Sequence, residues 1–347
     1  MAIQSEFSKK YIVDMEEKLP LIIDAFCQEF GEKYREVIAQ RIENIRIAFS
    51  GVHYDLLSSI FANNQQITEE EKEKLYNLCA EAGKRNKEFL NESERGFLIQ
   101  SFEDVDNIYF DWFDDFFDTE AGKTMGTCTG IPSYDYSNIY QVVLYRLIKL
   151  ADDLIVHEII HAYSSTCDNP LSDSYFMRSG FVSYQGGGSL FMDLEEFVRQ
   201  EKIRCFNELV TEYLTGEVCR NLKDKNSEIY NNRDSCHSSY GVSLLIFKPI
   251  LDLIKPTLVK AYMENDISLV RKLLSESDFE KLINLNYDLI DNVDLTFYYR
   301  NLSEQEYKDA VLSMDKKPPD TDPRHFAYDA VEFAKYLIQK LESDNKK

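Results

Sequence analysis

The chain has 347 residues, of which 44% are hydrophobic and 13% aromatic, and it carries a formal net charge of −22. That much apolar material can build a large core and argues against disorder. The acidity argues against a nucleic-acid backbone or an anionic membrane as partner.

The opening "MAIQSEFSKKYIVDMEEKLP" has no uninterrupted apolar core and no small-residue cleavage site, so it is not read as a secretory signal. Pro20 and Gly31 punctuate the segment that follows. Tyr34, Ile38, Ile42, Ile45 and Phe49 recur at spacings of four and three, which predicts one helix running through all five. "TEEEKEKLYNLC" begins with Thr68 and places Glu71 three residues on, a capping box ahead of an amphipathic run.

Near residue 105 the texture changes. "NIYFDWF" and "GTCTGIPSYDYSNIYQVVLYRLI" mix β-branched and aromatic residues with Gly and Pro, which predicts short strands and loops. In "RSGFVSYQGGGSLFMDL", residues 178–194, two strand-like runs flank three glycines, so a hairpin or flexible loop is expected around them. No Gly-Lys-Ser/Thr follows the glycines, so they are not a phosphate cradle.

Helical patterning returns at about residue 193 with "LEEFVRQEKIRCFNELVTEYLTGEVCRNL". "VSLLIFKPILDLI" is the longest apolar stretch, and Lys248, Pro249 and Asp252 make it too short and too polar to span a bilayer. Capping boxes are expected at Ser277/Glu280 and Ser303/Glu306, and "FAYDAVEFAKYLIQKLE" closes the chain as an amphipathic helix. Seven scattered cysteines, odd in number and lacking a Cys-x-x-Cys pair, indicate reduced thiols and a cytoplasmic setting. Export by a route without a cleavable signal stays open.

The chemistry concentrates in "ADDLIVHEIIHAYSSTCD", residues 151–168. Asp152 or Asp153 can cap a helix start. Two of the chain's five histidines, His157 and His161, lie four apart among Leu154, Ile155, Val156, Ile159 and Ile160. On a helix, positions i and i+4 share a face, so both imidazoles can address one point. Zn²⁺ suits that geometry, and coordination would offset the desolvation of the rings. Glu158 stands beside them, near enough to reach a zinc-bound water but poorly aimed to be a ligand. A catalytic zinc of this kind needs one more ligand and an open position. "CFNELVTEYLT" offers Asn207, Glu208 and, one turn on, Glu212.

His-Glu-x-x-His followed by Asn-Glu-x-x-Thr-Glu resembles the gluzincin, or thermolysin-like, metallopeptidases over roughly residues 150–215. The resemblance implies a zincin-like catalytic core holding one catalytic Zn²⁺ through His157, His161 and Glu208. Glu212 and Asn207 would stand behind the ligands, Glu212 orienting a ligand histidine such as His157. It also implies a Tyr or His beyond the third ligand that stabilises the oxyanion, for which "NRDSCHSSYGVSLL" offers Tyr240 first and His237 second. The gap from His161 to Glu208 is longer than in the thermolysin pattern and contains the Gly-rich segment. No third histidine continues the motif as in metzincins. Cys128 is the one loose candidate for a deformylase-type ligand. His53 and His325 read as structural or surface residues, and Arg178 as a structural ion-pair partner more than a substrate contact.

The expected architecture is α+β, mostly α, with a small antiparallel or mixed sheet. A helical region 1–105, an α/β part 106–192 and a helical part 193–347 make it up. The resemblance implies a zinc metallopeptidase acting on a peptide or protein substrate, with Glu158 taking the proton of the zinc-activated water. Two alternatives are a zinc hydrolase for a non-protein amide and a catalytically silent scaffold with a metallopeptidase-like fold. Oligomeric state is open at this level.

Overall fold

The computed structural model describes residues 19–42, 45–50, 68–70, 73, 77, 130–134, 140–145, 152–168, 176–185, 194–225, 240–292, 295, 304–314 and 316–344. These residues are mostly helical, with two small three-stranded sheets, an α+β arrangement weighted to α. The chain divides at Tyr163/Ser164 into two compact units, with residues 225–229 counted in the first.

In the first unit, helix α1 (19–30) ends at Gly31, which has φ +121° and donates its N–H to the Cys27 carbonyl at 2.8 Å. A 3-10 turn, Glu32–Tyr34, leads into α2, Arg35–Ile42. Ile22, Phe26 and Ile38 are fully buried, and the Phe26 ring meets the Tyr163 ring edge-on at 5.4 Å. The Arg41 guanidinium donates to the Tyr163 carbonyl.

The helix expected through Phe49 stops at Ile42, and Ile45–Ser50 is strand β1. A spacing of four, such as Ile45 to Phe49, satisfies a helix face and an alternating strand alike, so periodicity did not separate the two. Pairing decides it: β1 runs parallel to β3 (Tyr140–Tyr145), which also pairs antiparallel with β2 (Gly130–Tyr134). A parallel neighbour distant in sequence leaves no local trace. β2 and β3 fall within the stretch expected to form short strands. Beyond Thr68, residues Glu69, Glu70, Glu73 and Asn77 are helical, as the capping box predicts. "NIYFDWF" lies outside the described residues.

Helix α3, Asp152–Ser164, carries the histidine pair. In the second unit, β4 (Thr166–Asp168), β5 (Phe176–Ser179) and β6 (Val182–Gln185) form an antiparallel sheet with β5 central. A hairpin turn lies at Gly180–Phe181, between paired Ser179 and Val182, and the triple glycine, where a hairpin or flexible loop was expected, lies outside the described residues. Gly180 has φ +57°, and a Cβ there would stand 2.1 Å from Asn207 Oδ1 and 2.5 Å from Tyr262 Cε2. Both the backbone conformation and the close approach require glycine at this one position.

Helix α4, Leu194–Lys225, and helix α5, Gly241–Glu264, supply most of the second unit's core. Phe181 stacks on Phe206 at 5.6 Å and meets Tyr262 edge-on at 5.6 Å, and Phe206 meets Phe279 edge-on at 5.7 Å. α5 runs unbroken through Pro249 and Pro256. Both prolines are exposed, where water can serve the carbonyls they leave unpaired, and the buried face absorbs the cost. No helix among the described residues is long and apolar enough to cross a membrane.

Among the described residues the unit also holds α6 (Ser268–Leu274), α7 (Glu276–Asp291), α8 (Glu304–Leu312) and α9 (Arg324–Asp344). The cap of α7 is Ser275, whose hydroxyl accepts from the Asp278 N–H, two residues before the expected Ser277. Both serines have an acid three residues on, and only the path of the incoming chain distinguishes them. α8 begins directly after Ser303, which itself lies outside the described residues.

Candidate metal centre

α3 is apolar on nearly every side. Val156, Ile159, Ile160, Ala162 and Tyr163 are all buried. Set among them, His157, Glu158 and His161 are also buried, at 7%, 8% and 5% exposure. Asp152 and Asp153 open the helix in its first turn.

The two rings do turn to one point. His157 Nε2 and His161 Nε2 stand 3.2 Å apart, with ring centroids 4.9 Å apart and planes at 73°. Two imidazole nitrogens bound at 2.0–2.1 Å to one tetrahedral zinc would be about 3.3 Å apart. Glu208, on α4, completes a group in which one ligand atom from each of His157, His161 and Glu208 lies within 4.8 Å of the others. That bound exceeds a closed tetrahedral edge by about 1.5 Å, within reach of a rotation of the glutamate side chain. Two imidazole nitrogens and a carboxylate are a donor set that could hold a metal ion.

Glu158 provides the second test of fit. Its Oε2 is buried and has no hydrogen-bond partner among the described residues. A carboxylate oxygen in that state is costly unless a water, a proton or a cation completes its surroundings.

The remaining expected residues separate into two groups. Asn207 and Glu212 are buried on α4, Glu212 one turn beyond Glu208. Asn207 Oδ1 accepts the Phe181 N–H at 2.8 Å, so this amide holds the hairpin turn. Thr211, the hydroxyl residue of the downstream motif, donates to the Asn207 carbonyl at 2.9 Å, and its Oγ1 lies 2.7 Å from the Tyr262 hydroxyl. Tyr240 is the N-cap residue of α5, its carbonyl accepting from the Leu244 N–H at 2.8 Å. His237, Cys128 and His53 lie outside the described residues. His325 Nδ1 donates to the Asp322 carbonyl at 2.7 Å, a structural role as expected. Arg178 sits in central strand β5 opposite Thr166 and Ser183.

One turn before Glu208, burial pushes the Cys205 thiol up to about 11. Arg204 opposes this, and the nearby carboxylates Glu201, Glu208 and Asp291 add to it. Cys205 is therefore a protonated thiol at neutral pH and not a competing nucleophile.

Sequence reasoning missed Asn265. It ends α5 in the left-handed conformation, φ 55°. Its Nδ2 donates to the carbonyls of Ser164 at 2.7 Å and Gly180 at 2.9 Å, and its Oδ1 accepts from Thr166 Oγ1 at 3.0 Å. The available signal was an Asn directly after an apolar-periodic run, which marks a helix end but not its distant partners.

No protein-family model, no curated protein and no solved structure matches this chain. The functional reading therefore rests on the residues themselves.

Proposed function

We propose that the chain is a zinc-dependent metallopeptidase of gluzincin type, built on a zincin-like core, that hydrolyses peptide bonds in a peptide or protein substrate. The observation that carries this reading is the convergence of His157, His161 and Glu208 beside a buried Glu158 oxygen that has no hydrogen-bond partner among the described residues.

His157 and His161 would hold the ion through ring nitrogens, and Glu208 would hold it through a carboxylate oxygen. When bound, zinc polarises a water and a substrate carbonyl and brings the water's pKa toward about 7. Glu158 Oε2 accepts the proton as the water attacks, then delivers it to the leaving nitrogen. The buried setting of Glu158 keeps that proton from exchanging with bulk solvent. Glu212 and Asn207 stand behind the ligands, Glu212 as the carboxylate that orients a histidine, Asn207 by holding the turn beside Glu208. Tyr240, with His237 as the alternative, donates to the developing oxyanion.

Metal analysis of purified wild type, Glu158→Gln and Glu208→Ala, paired with cleavage profiling on a diverse peptide mixture, tests the reading. About one zinc per chain is expected in the first two and a large loss in the third. Peptide cleavage is expected from wild type alone. Absence of zinc from the wild type even after metal addition would overturn the proposal. Stoichiometric zinc without cleavage of any peptide would replace it with a non-peptidase reading.

A further inference from the structure

We infer that Asn265 is a positioning residue for the metal centre, acting through the hairpin turn that joins the end of the histidine helix to the residue preceding Glu208. This rests on the metal-centre reading above.

A three-residue ligand set is only as good as the spacing of its carriers. His157 and His161 are fixed to each other by helix geometry, but Glu208 reaches them across a long intervening segment. Within that segment, the turn Gly180–Phe181 is bonded in both directions. The Gly180 N–H donates to Ser164 Oγ at 2.8 Å, and Ser164 is the last residue of α3. The Phe181 N–H donates to Asn207 Oδ1 at 2.8 Å, and Asn207 precedes Glu208. Two consecutive peptide N–H groups thus span from the end of one ligand-bearing helix to the ligand-bearing turn of the other.

Asn265 closes this frame. One amide nitrogen serves the carbonyls of Ser164 and Gly180 together, and the amide oxygen takes the Thr166 hydroxyl. The Ser164 carbonyl is one that a helix C-terminus leaves without an intrahelical partner, and Asn265 supplies one. The three hydrogen bonds of this carboxamide go to the end of the histidine helix and to the segment that follows it, Ser164, Thr166 and Gly180. Tyr262, one turn earlier on α5, packs its ring against Phe181 and sets its hydroxyl by Thr211. The end of α5 therefore grips the turn from one side while Asn207 grips it from the other. An Asn needed only to end the helix would use its backbone alone, since the left-handed φ of 55° is what that role demands.

This distinction supplies the test. Asn265→Gly keeps the left-handed helix end and deletes the carboxamide. Asn265→Asp keeps the oxygen that accepts from Thr166 and replaces both donated hydrogen bonds by repulsion against two carbonyls. Zinc affinity of each apo-protein would be measured by competition with a chromophoric chelator. Helicity and Tm of the apo form, and the visible spectrum of the cobalt-substituted form, would be recorded alongside. Loss of about tenfold or more in zinc affinity is expected in both variants, with near-wild-type helicity in Asn265→Gly and an altered cobalt spectrum. Wild-type zinc affinity in either variant that keeps its helicity would overturn the inference while leaving the metal centre standing. A wild-type protein that binds neither zinc nor cobalt would instead overturn the metal-centre reading, and this inference with it.

Discussion

Two buried glutamates show how differently one side chain type can be kept inside this protein. Glu217, on α4, is 5% exposed, and Glu158, on α3, is 8% exposed. Glu217 is met by three cations: Arg220 at 2.7 Å, Lys248 at 3.3 Å and Lys255 at 3.3 Å. Burial alone would push its carboxyl up, but Arg220 first, then Lys248 and Lys255, outweigh burial and hold it below the usual carboxylate range. Glu158 has an oxygen without a hydrogen-bond partner among the described residues, two histidines on its own helix and Glu208 in the neighbouring ligand group. Each glutamate has one buried oxygen without a hydrogen-bond partner among the described residues, Oε1 of Glu217 and Oε2 of Glu158, but only Glu217 has its charge matched there by cations. Depth of burial does not separate these two glutamates. The state of their partners does.

The largest expected break in the comparison is catalytic. Glu158→Gln keeps the shape of the side chain and removes its basicity, so peptide hydrolysis should fall by about a thousandfold or more, roughly 4 kcal/mol in activation free energy. Zinc content should stay at wild-type level in the same preparation. Cleavage at the wild-type rate would place Glu158 with Glu217 as a structural group. Next in size, Glu217→Leu should lower stability by about 2 kcal/mol near neutral pH in denaturant titrations, because Arg220, Lys248 and Lys255 lose their shared anion. That figure is kept small because the three cations are partly exposed.

A smaller effect of opposite sign sharpens the contrast. In zinc-free protein, Glu158→Gln should raise stability by about 1 kcal/mol, since a buried acid with an oxygen lacking a hydrogen-bond partner among the described residues gives way to a neutral amide. Urea unfolding of the two apo-proteins side by side would measure it, and a clear loss of stability would contradict the distinction drawn here. The smallest effect is in pH dependence. The folded carboxyl of Glu217 titrates below its unfolded value of about 4.3, so its stabilisation is fully present above that value. The stabilisation is lost as pH falls through the folded value. The Tm gap between wild type and Glu217→Gln should therefore be constant from neutral pH to about 5 and shrink below about 4. A gap that widened on acidification would reverse the assigned sign.

Legibility in the sequence followed the range of the interaction. His157 and His161 were readable because i and i+4 meet on any helix, and the structure places their Nε2 atoms 3.2 Å apart. The long α4 was readable from its own periodicity, and β2 and β3 from local residue preference. Ile45–Ser50 was not, because its apolar spacing fits both periods and its strand partner, β3, lies nearly a hundred residues on. The turn at Gly180–Phe181 was not singled out, because a lone glycine carries no local mark of the close approach of Asn207 and Tyr262 that requires it.

The sequence by itself determined that two imidazoles and a glutamate would share one apolar helix, since that follows from helical spacing and needs no other part of the chain. Only the tertiary structure decided that Glu208 would reach them, and that Asn265 would bond the segment between. Those meetings depend on how distant segments pack, and hydrogen-bonded turns and buried rings set that packing over separations that no local pattern records.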